Sequence, residues 1–214
     1  LTRKQTTKGE VVCALIENNG RSTSSLLNEY LPQLINEIPF QKKMRWENKT
    51  RPFARPLHWV AALFDGNALE FEFDGIVSGM VSRGHRFLNP EKFKIKSLES
   101  YLDECKKHSL IVDPEIRKKS ILEQVQQLAK QAGGCIKEDE DLVNLVNYLV
   151  EYPVAIKGDF DSRFLELPQE LLVITMKSHQ KYFPIWDKKE KLLPCFITIS
   201  NMPATDENEI QKGN

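Results

Sequence analysis

One stretch of this 214-residue chain decides which kind of fold to expect: Leu69-Glu70-Phe71-Glu72-Phe73-Asp74-Gly75. Three apolar side chains alternate with three acidic ones, which is typical of a β-strand with one face in the core and the other in water. The turn signal Asp65-Gly66-Asn67 precedes the stretch, and Asp74-Gly75 ends it. The flanking segments 55–64 and 76–87 are also strand-like in composition, so this central region predicts antiparallel strands.

Helical signals lie on both sides of this region. Hydroxyls within 22–25 can cap an amphipathic helix, in which Pro32 predicts a kink. Ser97 precedes a second amphipathic stretch, and Asp113-Pro114 opens a long third one. The acidic run 138–141 favours the start of a fourth helix, because the helix dipole stabilises negative charge at that end.

Groups of strands with helices between them predict an α+β fold, mainly an antiparallel sheet with several packed helices. We expect residues 1–204 to form a single body domain, with residues 97–150 as a candidate helical lobe. The polar residues 205–214 are expected to form a C-terminal tail. The final strands are expected at 154–157, 181–186 and 195–200.

The overall composition is that of a soluble globular protein, with 41% hydrophobic and 28% charged residues. No apolar run approaches the ~20 residues that span a bilayer, and residues 1–9 are too polar for a signal peptide. The four cysteines lie far apart without metal-ligand spacing. We therefore expect reduced thiols, no membrane association and a cytoplasmic location.

The formal net charge is zero, but the charges are unevenly distributed. Residues 41–60 contain six Lys or Arg and one Glu, and residues 81–96 contain five and one. A neutral total is therefore compatible with a basic face that binds nucleic acid, or with charges spread over a solvated surface.

Three segments combine His, Arg and aromatic residues: 43–59, 82–87 and 178–184. On a strand, Arg83, His85 and Phe87 would share one face. This arrangement has two interpretations, a basic platform for RNA or an Arg–His pair hydrogen-bonded to backbone and to acidic groups such as Asp74. The second is favoured, and it predicts that Arg83, His85 and Arg86 are at least partly buried.

Order and spacing of these segments resemble one family, the beta subunit of the bacterial heterotetrameric glycyl-tRNA synthetase. The resemblance covers nearly the whole chain and rests on Met44-Arg45-Trp46, Arg55-Pro56-Leu57-His58-Trp59, Arg83-Gly84-His85-Arg86-Phe87, Glu151-Tyr152-Pro153 and His179-Gln180-Lys181-Tyr182-Phe183-Pro184. It implies that the chain is the central fragment of a longer subunit.

The resemblance also implies a function, as part of the glycine–tRNA ligase that attaches glycine to tRNA(Gly) using ATP. In that enzyme two alpha subunits assemble with two beta subunits, and the alpha subunit activates glycine with ATP. This part of the beta subunit is then expected to serve tRNA recognition and subunit scaffolding, with no catalytic residue, metal or cofactor of its own.

At the level of fold, the family resembles the editing-type domain of the phenylalanyl-tRNA synthetase large subunit. The alternative function is therefore a hydrolytic domain acting on mischarged tRNA. Editing is physically disfavoured, because a second sieve removes products smaller than the cognate amino acid and none is smaller than glycine.

The residues give little support for a nucleotide-binding, hydrolytic or zinc site. The chain has no phosphate-binding glycine loop. Ser82 with His85 is only a sequence neighbourhood and not a triad, and a zinc site would need distant histidines to converge.

The candidate tRNA contacts are the cationic residues of these segments: Lys42, Lys43, Arg45, Lys49, Arg51, Arg83, His85, Arg86 and Lys181, together with Lys92, Lys94 and Lys96.

Overall fold

The structure is a computed structural model that describes residues 2–7, 9–14, 20–46 and 50–203. The chain divides into two compact units, residues 1–80 and residues 81–214. Both contain antiparallel strands and helices, so the predicted α+β class is confirmed. The prediction that 1–204 behaves as one domain stays a prediction, and the predicted tail lies outside the described residues.

The strands of the first unit form three antiparallel hairpins. These are β1 (Thr2–Thr6) with β2 (Gly9–Cys13), β3 (Leu63–Phe64) with β4 (Asn67–Ala68), and β5 (Glu72–Phe73) with β6 (Ile76–Val77). The turn of the second hairpin places Asp65 at φ 50° and Gly66 at φ 73°. Two consecutive positive φ values give the twist that a two-residue hairpin requires, which explains the sequence signal at this position.

The core of the first unit is formed by Leu69, Phe71 and Phe73, which are 3%, 7% and 2% exposed. Glu70 and Glu72 are exposed, so the predicted alternation is confirmed. Regular pairing is limited to two residues on each strand of β5 and β6, and Ser78 extends it with its backbone N–H, which donates to the Phe71 carbonyl, and with its hydroxyl. The Ser78 hydroxyl accepts a hydrogen bond from the Phe71 N–H at 2.9 Å and donates one to the Leu69 carbonyl at 2.6 Å.

Helix α1 (Thr23–Glu37) covers one side of this core. Its N-cap Ser22 accepts a hydrogen bond from the Ser25 N–H, as the hydroxyl-rich start predicts. Leu27, Leu31 and Ile35 pack on the cluster, while Leu34 on the same apolar stripe is 62% exposed. The helix therefore uses only part of its apolar surface within this unit.

The second unit is built on a three-stranded antiparallel sheet in the order β10–β11–β9. The strands are β9 (Val154–Asp159), β10 (Phe183–Trp186) and β11 (Leu192–Ser200). A separate hairpin pairs β7 (Val81–Arg83) with β8 (Lys92–Lys94). The segment 76–87, expected to form one or two strands, forms two short strands in different hairpins, and residues 86–88 form a turn.

Four helices complete the second unit: α2 (Leu98–Lys107), α3 (Pro114–Gln131), α4 (Glu140–Asn147) and α5 (Gln169–Ile174). The caps predicted at Ser97 and Asp113 are confirmed, and Asp139 of the acidic run caps α4. Helices α2 to α4 occupy the expected helical stretch 97–150, and α3 packs on β9 and β11. After α5 the chain continues through one π-helical segment, Thr175–Gln180.

The core of the second unit lies where α3 and α4 meet the sheet. Its innermost side chains are Ile121, Val125, Phe183, Ile185 and Ile197. Not every apolar residue on a helix reaches this core: Leu98 and Leu102 of α2 are 68% and 45% exposed.

A buried arginine ties α3 to the end of α4. The Arg117 Nε donates to the Asn147 backbone carbonyl at 2.8 Å and to its Oδ1 at 3.0 Å. Its Nη1 donates to the Ile111 carbonyl, and Asn147 Nδ2 donates to the Pro114 carbonyl. Neutral carbonyl oxygens therefore satisfy a cation that is only 8% exposed.

Candidate nucleic-acid interface

A backbone bridge gathers most of the predicted cations of the first unit. Met44 donates to the Phe53 carbonyl at 3.0 Å, and Phe53 donates to the Met44 carbonyl at 3.1 Å. Chain segments on either side of an antiparallel bridge run next to each other, so residues 42–45 lie beside residues 51–55. We call the exposed cations of these segments the first basic surface: Lys42, Lys43, Arg45, Arg51 and Arg55.

Sequence reasoning named four of these five residues and missed Arg55 as a contact. The available signal was the excess of cations in residues 41–60. Lys49, a further candidate, lies outside the described residues.

The loop that presents this surface is anchored by an acidic residue. Asp74 Oδ1 accepts hydrogen bonds from Thr50 N at 3.2 Å and Thr50 Oγ1 at 2.8 Å, and its Oδ2 accepts one from Arg51 N at 3.3 Å. The Arg51 guanidinium lies 5.2 Å from the centre of the Phe73 ring. The carboxylate thus binds backbone and hydroxyl, while the arginine head group rests on an aromatic face and stays exposed.

Two exposed aromatic rings follow in the same unit. His58 and Trp59 have ring centroids 6.4 Å apart with planes inclined by 30°, and both are exposed. Aromatic faces beside cations are typical of surfaces that bind single-stranded nucleic acid.

The β7–β8 hairpin forms a second basic surface in the second unit. Arg83 pairs directly with Lys92, and Val81 pairs with Lys94. Ser82 and Phe93 form the intervening pair on the opposite, buried face. Because directly paired residues of antiparallel strands share a face, the three cations extend from one exposed side, where a phosphate can interact with neighbouring cations.

His85 is 1% exposed and stabilises the turn that follows β7. Its Nδ1 accepts hydrogen bonds from the N–H groups of Phe87 at 3.4 Å and Leu88 at 3.2 Å. Since Nδ1 accepts, the ring proton of the neutral imidazole is assigned to Nε2. The favoured structural interpretation therefore holds for His85.

The predicted partial burial is wrong for the two neighbouring arginines. Arg83 and Arg86 are both exposed. The shared strand face also does not exist, because the strand ends at Arg83 and the chain then turns. The Arg86 guanidinium lies 5.5 Å from the ring of Phe87, which is itself 67% exposed.

Gly84 allows this turn to pack closely. A Cβ at this position would lie 2.2 Å from the Asn89 carbonyl oxygen and 2.6 Å from the His108 Cβ. A side chain larger than hydrogen would therefore displace backbone, which explains why the motif has glycine between Arg83 and His85.

Lys181 lies far from both basic surfaces in sequence. It has a left-handed backbone conformation, φ 60°, immediately after the π-helical segment. Its ammonium donates a hydrogen bond to the Ser178 carbonyl, and its side chain is half-buried. The expectation that Tyr182 and Phe183 pack inward is confirmed.

Within the parts of the chain that the structure describes, no three His, Cys, Asp or Glu residues converge in a way that could hold a metal ion. Ser82 is buried on β7, and His85 Nδ1 already receives two backbone N–H groups. The geometry at this Ser-His neighbourhood is that of a structural turn. No helix of the described residues is long and apolar enough to cross a membrane.

Comparison with known proteins assigns the whole chain to a family. Residues 1–214 match the family described as glycyl-tRNA synthetase beta subunit. The chain belongs to this family. It is 48% identical over 210 residues to the glycine–tRNA ligase beta subunit of Syntrophus aciditrophicus, 47% over 214 residues to that of Geobacter sulfurreducens, and 46% over 214 residues to that of Syntrophotalea carbinolica.

These alignments cover 98–100% of this chain but only 30–31% of each relative. The chain thus spans about three-tenths of the length of the curated beta subunits it matches. The family expected from the sequence motifs is confirmed.

Proposed function

We propose that this chain is the part of a glycine–tRNA ligase beta subunit that contacts tRNA(Gly) and supports subunit assembly. The observation that carries the proposal is the first basic surface, where five exposed cations are brought together by one backbone bridge. Lysine and arginine on such a surface bind the phosphate backbone without reading sequence.

The synthetic reaction is assigned elsewhere in the proposed enzyme. The alpha subunit activates glycine with ATP, in a cytoplasmic assembly of two alpha and two beta subunits. The isolated chain is therefore expected to show no glycine-dependent pyrophosphate exchange. Exchange activity in the purified chain, free of alpha subunit, would contradict this division of labour.

Exposed apolar side chains support the scaffolding part of the proposal. Ile116 and Tyr148 are 60% and 72% exposed and lie next to Arg117 and Asn147, the two ends of the buried hydrogen-bond network, and Leu149, which follows Tyr148, is 57% exposed. Large apolar side chains held at the surface by a rigid polar network are typical of surfaces that another protein covers.

A salt titration with a matched control tests tRNA contact. The triple variant Lys42→Gln, Lys43→Gln, Arg45→Gln removes three cations of the first basic surface, and Lys188→Gln, Lys189→Gln, Lys191→Gln removes three exposed cations from the β10–β11 turn. Each phosphate contact contributes about 0.7–0.9 to the slope of log K against log salt. We expect the first triple variant to reduce that slope by about 2–3 and the second to leave it unchanged.

Equal loss of tRNA affinity in both triple variants would contradict a localised contact surface. Binding that is tight and insensitive to salt would contradict phosphate recognition altogether.

The hydrolytic alternative depends on the proposed fold resemblance to the editing-type domain of the phenylalanyl-tRNA synthetase large subunit. Release of the amino acid from alanyl-tRNA(Gly) by the purified chain would favour that alternative. Intact alanyl-tRNA(Gly) after prolonged incubation would favour recognition and scaffolding.

A further inference from the structure

A small pocket in the first unit combines aromatic and cationic residues, and phosphate contact alone does not explain the aromatic ones. Its volume is about 60 Å³, and its walls include the aromatic rings of Trp46, Phe53 and Phe73. A cavity needs about 10–15 Å³ to hold one water, so this pocket has room for the edge of a flat ring.

One residue of the pocket lining carries a hydrogen-bond donor that lacks an acceptor. Trp46 Nε1 is buried, and none of the described residues accepts its proton. An indole N–H can only donate, and leaving it buried without a partner costs stability. A ligand that brings an acceptor into the pocket would remove this cost.

The pocket lining includes two arginines. Arg51 and Arg55 are both exposed, as is His58 of the same lining. Asp74 is the acidic residue of the lining, and its two oxygens already accept three hydrogen bonds from Thr50 and Arg51. The ligand that fits therefore combines a negative charge, a planar ring and a hydrogen-bond acceptor on that ring.

We propose that the pocket receives one unstacked nucleotide of a single-stranded RNA segment, with a base carbonyl accepting the Trp46 Nε1 proton. The base lies against the aromatic walls, and the phosphate of the same nucleotide interacts with Arg51 and Arg55. A carboxylate side chain of a protein partner would match the cations but would leave the aromatic walls without a ring to stack on. The inference rests on the proposed tRNA contact and adds a base-specific component to it.

A pocket that admits only the edge of a ring favours an acceptor that projects from that edge. Uracil, cytosine and guanine each have a projecting exocyclic carbonyl, whereas the acceptors of adenine that face outward are ring nitrogens. A uridine tetranucleotide should therefore bind this pocket more tightly than an adenosine tetranucleotide of the same charge.

The test uses the indole N–H signals of the 214-residue chain, which has three tryptophans. In a ¹H–¹⁵N NMR spectrum, Trp46→Phe assigns the Trp46 signal by its disappearance. Titration with the uridine tetranucleotide should shift this signal downfield, while the signal of Trp186, buried in the second unit, should not move. An abasic ribose-phosphate tetramer should leave the Trp46 signal in place.

Affinity measurements provide the second readout. Trp46→Phe keeps an aromatic ring but removes the donor, and we expect about a three- to tenfold loss of affinity for the uridine tetranucleotide, the usual effect of one hydrogen bond. The matched change Tyr30→Phe also keeps a ring and removes a donor, at a 54% exposed position outside the pocket lining, and should have an effect of less than about twofold.

Three outcomes would overturn the inference. If backbone signals of Lys42, Lys43 and Arg45 shift with RNA while the Trp46 indole signal stays fixed, tRNA contact survives and the pocket assignment fails. An equal shift with the abasic tetramer would mean that phosphate enters the pocket and not a base. A shift with a glutamate-rich peptide and none with RNA would assign the pocket to a protein partner.

Discussion

The two units of this chain differ in how their surfaces are supported. In the second unit, eleven buried side chains among the described residues form one cluster beneath a three-stranded sheet. In the first unit the corresponding cluster has three, and its strands are short hairpins. The first basic surface and the Trp46 pocket both belong to the unit with the smaller core. Turns and single bridges expose many side chains, but each of them contributes few buried contacts and therefore little stability. The free energy of unfolding of the two units should therefore respond differently to substitution.

The largest effect is expected in the core of the second unit. Phe183 is 2% exposed and belongs to the eleven-residue cluster. Phe183→Ala should lower the free energy of unfolding by about 4–5 kcal/mol, because a large cavity opens in a tightly packed region. Urea denaturation measures this loss. Phe164→Ala, at a 52% exposed position in the same unit, is the control and should change it by less than about 0.5 kcal/mol.

In the first unit, Phe71→Ala should cost about 3 kcal/mol, and the damage should stay local because the cluster is small. Hydrogen exchange measured by mass spectrometry should accelerate in residues 57–79 and remain unchanged in residues 121–146. Glu72→Ala, on the exposed side of the same strand, should change neither region. Equal acceleration in both regions would show that the two units unfold together. It would contradict the expectation that they respond differently to substitution.

Arg117 tests whether the second unit depends on apolar packing alone. Arg117→Met keeps a long side chain but removes the donors to the carbonyls of Ile111 and Asn147, which leaves buried acceptors unsatisfied. We expect a loss of about 2–3 kcal/mol in unfolding free energy. Lys119→Met, two residues along the same helix at an exposed position, should be close to neutral. A neutral result at Arg117 would mean that water replaces the lost donors.

Asp139 should make the second unit sensitive to acid. Burial raises the pKa of this carboxyl, but the hydrogen bond from Lys177, the Leu142 N–H and the Lys177 charge together outweigh it and hold the pKa below its usual value. A depressed pKa contributes stability above the unfolded value of about 3.9, and this contribution is lost as pH falls through the lower folded pKa.

Asp139→Asn keeps the N-cap but removes the charge, and it should cost about 0.5–1 kcal/mol at neutral pH. Unfolding free energies measured across the acid range should show the difference between variant and parent shrinking once the folded carboxyl is protonated. A difference that is the same at all pH values would assign the effect to the cap and not to the ion pair.

The smallest effect concerns the thiols and should leave stability unchanged. Cys105 and Cys195 are buried, and burial raises the pKa of both thiols, whereas Cys135 is exposed. Brief treatment with iodoacetamide should therefore label Cys135 well before the two buried thiols, because the thiolate is the reactive form. Peptide mass spectrometry after a time course measures the order. Early labelling of Cys195 would indicate that the second unit opens more readily than its core predicts.

The sequence by itself determined the features that depend on neighbouring residues. The alternation from Leu69 to Phe73, the caps at Ser97 and Asp113, and the turn at Asp65-Gly66 all match the structure. Each is decided by side-chain period, a hydroxyl or carboxylate next to free N–H groups, or a backbone conformation that few residues tolerate. The order of the His, Arg and aromatic motifs was also sufficient to indicate the family.

Tertiary structure alone decided which side chains face water and which are buried. Helical periodicity places Leu98 and Leu102 on an apolar face but cannot say whether another element covers it, and none of the described elements covers them fully. Arg117 is buried because acceptors about thirty residues away, on Asn147, reach its guanidinium.

Exposure in the candidate interface is likewise decided by contacts between residues distant in sequence. Met44 and Phe53 pair across a loop and thereby bring cations from two segments together, while His85 is buried because the chain turns back over it. Exposure of a side chain depends on contacts with residues distant in sequence. A local pattern can therefore identify a cation or an aromatic ring as a candidate contact, but only the folded chain determines whether it reaches a ligand.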